Sequence, residues 1–289
     1  MVISDTLDDV LFIVVTCTRD HSREKGLNKL IRSLNKEHEK IPFTSNLLIF
    51  DNNSHTVEPQ KYLKAPAVHA LCSENLGYWS AINWCIKNAE RLLGRRFKFI
   101  HPIESDLVMY NMERLFEARS FLSKNKHITS IRTQEFSVKN RKRFFKNGGA
   151  FFPVRRSLVA NFNGVTNETV DFTPVKGFDN IYLSNWHSKV PALHQLIKFS
   201  QVFEKLSKYN EMSEHNFMIE MDKLSPEVGV LDKGIFYAQL NNPFWPWEKS
   251  GWATGSWSTA ADMQKIGYLS TRQSFIHSTY PEITIKHTV

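Results

Sequence analysis

The sequence predicts an α/β fold: a doubly wound, mostly parallel sheet flanked by helices, with a less regular C-terminal half. Three observations predict it. Continuous apolar runs rich in branched residues suit strands buried on both faces. Amphipathic helical stripes alternate with those runs through the first half. Asp, Asn and Glu recur in the turn after each strand, where ligands of such sheets bind.

Residues 11–16 (Leu-Phe-Ile-Val-Val-Thr) form the first run, followed by the polar turn 16–20 (Thr-Cys-Thr-Arg-Asp). Leu27, Leu30, Ile31 and Leu34 then repeat at i, i+3, i+4, i+7, one stripe of a helix. Residues 46–51 (Asn-Leu-Leu-Ile-Phe-Asp) are a second buried strand, ended by Asp51-Asn-Asn-Ser54. A weaker strand at 68–72 leads into Ser73-Glu-Asn-Leu-Gly77, and Ile82, Cys85, Ile86 and Ala89 mark the next helix. Residues 97–102 make a strand followed by Ile103-Glu-Ser-Asp106; Leu115, Ala118 and Leu122 give a helix, and 128–132 a strand.

Past this point the pattern loosens. Residues 148–153 read as a strand with a glycine entry, Phe199, Val202, Phe203 and Leu206 as a helix, and Ser213 as the N-cap of a helix over 213–221. Residues 241–257 hold four of the seven tryptophans among Gly, Pro and Ser, which is loop chemistry. The expected organisation is one domain: residues 1–230 carry the site and 231–289 form an extension packed on it.

With 289 residues the chain can bury a substantial core. Lys and Arg number 37 against 29 Asp and Glu, a net charge of +8, which favours anionic partners. The densest basic cluster, residues 139–146, suits a solvated loop or a surface facing phosphate or lipid headgroups. Cys17, Cys72 and Cys85 show no CxxC and no zinc spacing with His, so they read as reduced thiols. No apolar run approaches membrane-spanning length and no signal segment opens the sequence, so a cytoplasmic protein is expected. The absence of GxGxxG, GxxxxGK[ST], HExxH and GxSxG disfavours classical dinucleotide folds, P-loop NTPases, zincins and α/β-hydrolases.

Four segments, in order, resemble the GT-A glycosyltransferases, particularly the inverting family 2 type. They are the first strand with Cys17-Thr-Arg19, the strand ending Asp51-Asn-Asn-Ser54, Glu74-Asn-Leu-Gly-Tyr-Trp-Ser-Ala-Ile-Asn83, and the strand leading to Glu104-Ser-Asp106. The resemblance covers roughly residues 10 to 125. It implies a GT-A-like sheet and transfer of a sugar from a nucleotide-diphosphate sugar to a hydroxyl of a saccharide or lipid-linked acceptor, with inversion. It also implies a donor site built from Thr16, Thr18, Arg19, Asp51, Asn53, Asn75, Gly77 and Glu104, in which Asp51 contacts the base.

The same resemblance places Mn2+ or Mg2+ on Asp106 and Glu104, with Asp106 also counted as catalytic. Such an ion takes one or two protein carboxylates and offsets charge on a leaving diphosphate. The first motif position is Glu here, and the family's later acidic pair appears only as Glu214-His215. Glu214 is the candidate base, with His215, Asp171 and Asp179 as rivals. His277 reads as a surface residue or a further metal ligand. Trp247 and Trp252 are the expected acceptor or lid contacts, since indole faces stack on sugars and exclude water. Each residue has a plain structural alternative: Asp51, Asn75 and Gly77 as turn formers, Glu104 and Asp106 as helix caps, Arg19 in a surface ion pair. A nucleotidyltransferase on a related α/β fold and a non-enzymatic carbohydrate- or nucleic-acid-binding module are the competing functions. The first lacks its glycine-rich loop, and the second lacks RRM, KH and zinc-finger signatures, so no nucleic-acid partner is expected. Peripheral membrane contact through the basic cluster is a further expectation.

Overall fold

The computed structural model describes residues 6–18, 21–41, 43, 46–54, 63–64, 66–105, 107–132, 172–184, 195–198, 223–225, 227–231, 236–238 and 281–288. In chain order the elements are β1 (Val10–Thr16), α1 (His21–His38), β2 (Leu47–Asn52), β3 (Ala67–Cys72), α2 (Tyr78–Leu93), β4 (Phe99–Glu104), β5 (Leu107–Met109) and α3 (Arg114–Lys124). They continue with β6 (Ser130–Arg132), β7 (Phe172–Pro174), β8 (Ile181–Ser184), β9 (Gln195–Lys198), β10 (Val228–Leu231), β11 (Phe236–Ala238) and β12 (Ile283–Thr288).

Ten strands form one sheet in the order β12-β3-β2-β1-β4-β9-β6-β10-β8-β7. The block β3-β2-β1-β4 is parallel throughout. Beyond it β9 runs antiparallel to both neighbours, β10 lies parallel to β6, and β8, β7 and β12 are antiparallel additions. β5 and β11 pair separately. The continuous apolarity of β1 and β2 has its cause here. Val10, Phe12 and Val14 face α1 and α3, while Leu11, Ile13 and Val15 face α2, so both faces of the strand are core. Helices on both faces make the sheet doubly wound, as expected.

Two polar side chains on α1 tie that helix to the segment after β4. Ser33 Oγ donates to Leu30 O (2.7 Å) and accepts the Met109 N–H (2.9 Å). Buried Glu37 accepts the Met112 N–H on Oε2 (2.9 Å) and pairs through Oε1 with Lys40 Nζ (2.8 Å). Among the described residues no helix is long and apolar enough to cross a membrane.

The structure differs from the sequence reading in several elements. β4 begins two residues later than expected and runs through Pro102 to Glu104. β9 accompanies β4 only at Phe99 and Ile100, so beyond them β4 has one described neighbour, β1, and the other side can accept a residue without an N–H. β6 is limited to Ser130–Arg132. The short strands β5 and β7 to β11 carry no sequence pattern long enough to announce them, and the six-residue β12 was not expected from the sequence. The expected strand at 148–153, the helices at 199–206 and 213–221 and the tryptophan-rich loop lie outside the described residues.

Gly229 marks the tightest packing under α3. A Cβ there would stand 2.7 Å from Phe121 Cε1 and 3.0 Å from Ile131 Cγ1. Gly229→Ala is expected to cost about 1–3 kcal/mol through overpacking of this closed contact. Urea unfolding checks it; an unchanged midpoint would mean that the core yields at this point.

His69 on β3 is about 1% exposed and stands opposite Lys286 of β12. Burial, then His287, then Lys286 hold its pKa down from 6.5 to about 4. The folded chain therefore prefers the neutral ring. Its contribution is complete above about pH 6.5, drains away between there and about 4, and amounts to roughly 3 kcal/mol. Urea midpoints from pH 7 to 4 should fall more steeply for the native sequence than for His69→Leu. Parallel acid limbs would remove His69 from the account.

Candidate functional site

Parallel strands bring the loops that follow them to one end of the sheet. Thr16 closes β1 in register with Asp51 of β2, Asn52 is in register with Cys72 of β3, and Val15 with Glu104 of β4. The four polar clusters read from the sequence therefore gather at the carboxyl end of one four-stranded block.

Three hydrogen-bonded links fasten the loops to one another. The Thr18 N–H donates to Ser54 Oγ (2.8 Å), joining the loops after β1 and β2. The Leu76 N–H donates to Asn52 Oδ1 (2.7 Å), joining the loops after β2 and β3. Asn75 Nδ2 donates to Cys17 Sγ (3.6 Å), joining the loop after β3 back to that after β1. Each loop also holds its own turn. Asp51 Oδ1 accepts the Ser54 N–H (2.8 Å), and Asn75 Oδ1 accepts the Gly77 N–H (2.8 Å). Asn53 sits at φ 63, a left-handed conformation that Asn tolerates.

Thus Asp51 and Asn75 do form turns, the plainer of their two expected roles, and in doing so shape the rim. Asp51 is mostly buried between the loops. Thr16 is buried to about 1% exposure, and its Oγ1 has no hydrogen-bond partner. A hydroxyl that gives up water without an internal partner costs free energy, which a ligand group at this position would return. Burial raises the thiols of Cys72 and Cys85, leaving half-exposed Cys17 as the thiol nearest the rim.

Gly77 is the N-cap of α2, at φ 81 and ψ 165, and no side chain caps that helix end. This backbone region is open essentially to glycine alone. An uncapped helix start presents N–H groups and the positive end of the helix dipole, a ready anion site. Gly77→Ala is expected to cost on the order of 1–3 kcal/mol of strain and to weaken any anion bound at this helix start about tenfold by tilting these N–H groups. Calorimetry and melting together check it; a variant with native affinity would place Gly77 outside the site.

Thr16, Thr18, Asp51, Asn53, Asn75 and Gly77 thus stand together. Glu104 is placed with them through its backbone, at the end of β4 beside β1. Arg19, Asp106, Glu214, His215, Asp171, His277, Trp247 and Trp252 lie outside the described residues. Asp179 is described and lies on the exposed turn between β7 and β8. β8 is five strand positions from β1, roughly 24 Å across the sheet, so this rival for the base does not join the cluster. Sequence reasoning missed Asn52 and Ser54, whose side chains make two of the three links. Their signal was present in the polar stretch after the second strand, but which member faces inward depends on strand alternation.

Among the described residues no group of three His, Cys, Asp or Glu side chains converges. The donor chemistry of the motif at the end of β4 still suits a hard divalent cation: two carboxylates one residue apart, with substrate phosphate left to complete the shell.

No family model and no curated protein matches the sequence. Solved structures do resemble it. TarS residues 1–349 from S. aureus aligns over 80% of this chain and 60% of that one, at 17% identity and a TM-score of 0.49. This chain therefore spans less than two thirds of that structure. Glucosyl-3-phosphoglycerate synthase from Mycobacterium tuberculosis, solved with Mn2+, UDP and phosphoglyceric acid, aligns over 93% of this chain and 80% of that one, at 12% identity and a TM-score of 0.46. Mannosyl-3-phosphoglycerate synthase from Rubrobacter xylanophilus aligns over 96% and 84%, at 12% identity and a TM-score of 0.49. None of the three reaches a TM-score of 0.5, and the fold class rests on the strand order given above.

Proposed function

We propose that this chain is a glycosyltransferase that moves a sugar from a nucleotide-diphosphate sugar to a hydroxyl acceptor, with inversion. The observation that carries the reading is the hydrogen-bonded rim of three loops around an uncapped helix start, beside an acidic motif. In this reading Asp51 and Thr16 face the nucleoside, and the α2 N-terminus at Gly77 receives the diphosphate, with Arg19 clamping phosphate oxygens. Asp106, with Glu104 directly or through water, would hold Mn2+ or Mg2+, which when bound offsets the charge left on the departing diphosphate. Glu214 takes the proton of the acceptor hydroxyl, and Trp247 and Trp252 cover the transfer site against water.

A thermal-shift panel tests this. UDP, GDP and their sugar conjugates should stabilise the chain when Mn2+ or Mg2+ is present and much less without it, and the matching conjugate should be slowly hydrolysed. Stabilisation by oligonucleotides without metal, and by no nucleotide with metal, would overturn the reading in favour of a binding module.

A further inference from the structure

Asn52 is about 2% exposed at the carboxyl end of β2, and Leu76, at the entry to α2, is 0% exposed. A buried backbone N–H requires a partner, and that of Leu76 has Asn52 Oδ1 at 2.7 Å. Strand alternation aims this bond. Leu48 and Phe50 pack on the α2 side of the sheet, so Asn52 stands on that side. Leu47 and Ile49 pack on the α1 side, and Asp51 follows them there. Consecutive residues of β2 thus serve two loops. Asp51 Oδ1 accepts the Ser54 N–H (2.8 Å) and closes its own turn, whereas Asn52 reaches the chain that enters α2.

Two other bonds in that chain are local. The Gly77 N–H donates to Asn75 Oδ1 (2.8 Å), and the Gly77 carbonyl accepts the Ala81 N–H (3.2 Å). A third, from Asn75 Nδ2 to Cys17 Sγ at 3.6 Å, ends on a weak acceptor. The Leu76 side chain packs into the α2-side core, which fixes how deep the chain sits but not how its peptide planes are turned. A hydrogen bond is directional. The Asn52 bond, short and buried, refers those planes to β2, one residue before Gly77 takes its φ of 81 and α2 begins.

We propose that Asn52 is a positioning residue for the start of α2: by holding the Leu76 N–H it sets the direction of the N–H groups that follow, and it ties that direction to Asp51, its neighbour on β2. This rests on the proposed function, in which Asp51 faces the nucleoside and the α2 start receives the diphosphate. Asn52 then matters for the diphosphate and little for the nucleoside.

Two measurements on Asn52→Leu test this, since leucine keeps the volume and removes the acceptor. The first needs no ligand. Amide hydrogen exchange over residues 76–80 should speed up at least about tenfold while β1 and β4 keep native rates. Unchanged exchange over 76–80, or an equal rise throughout the sheet, overturns the positioning role. The second is read well below the melting range. The dissociation constant of UDP or GDP with Mn2+ should rise about tenfold, and that of the matching nucleoside should change less than about threefold. A change for the nucleoside as large as for the nucleotide, or no change in either, overturns the role, because a general structural defect would not single out the diphosphate. If Asn52→Leu fails to fold, Asn52→Ala, which leaves room for water to take the Leu76 N–H, is measured in its place with the same expectations. Failure of both to fold makes Asn52 a residue of the fold alone and overturns the proposal. A native chain that binds neither nucleotide with Mn2+ defeats the proposed function and leaves the exchange result standing.

Discussion

Asp106→Asn should weaken Mn2+-dependent nucleotide binding at least about 100-fold while leaving the melting temperature of the free chain close to native. The amide keeps the shape of the side chain and removes the charge that in the proposed function would hold the cation; electrostatic stabilisation by such an ion is worth several kcal/mol. The fold should be spared because Asp106 follows β4, whose ladder with β1 is complete by Glu104. Calorimetry of UDP and GDP with Mn2+ measures the effect. Affinity within a few-fold of native would remove Asp106 as the ligand and with it the metal-dependent form of the proposal.

Glu214→Gln should slow transfer by ~10²–10⁴ while leaving nucleotide affinity nearly unchanged, since a positioned base acts on the acceptor proton and not on the donor. The test is single-turnover transfer to an acceptor on which the native chain is active. A loss below about tenfold would move the base elsewhere.

The parallel block was legible because its two-sided burial demands a distinctive composition. Leu11 to Val15 cannot place a polar residue on either face, and Leu48 and Phe50 face one helix layer while Leu47 and Ile49 face the other. The strands beyond β4 are only three or four residues long, too short for a period of two to repeat, and their partners are remote in sequence. The reading of β4 stopped at Pro102, two residues short of its end, since whether a strand runs on past a proline depends on which neighbour is missing. At the site, the loops and their residue types were visible, but not the stitching. Nothing in Asp51-Asn-Asn-Ser54 says that Asn52 reaches the loop after β3 while Asn53 turns left-handed. Arg132 was read as the end of a strand, and its burial is a property of the whole sheet.

The pairing of β12 with β3 has a bearing on how the chain reaches its fold. Ile283 meets Cys72, a contact spanning about 210 positions. During synthesis, β1 to β4 and their helices are complete long before β12 emerges. For that interval the outer edge of β3 lacks its native strand, and its unpaired N–H and C=O groups are a template for other chains. Contacts this remote are slow to form, because the loop they close is long. The parallel block thus depends for its protection on a strand made long after it. Sequence changes near residues 283–288 would first be felt as lost soluble yield.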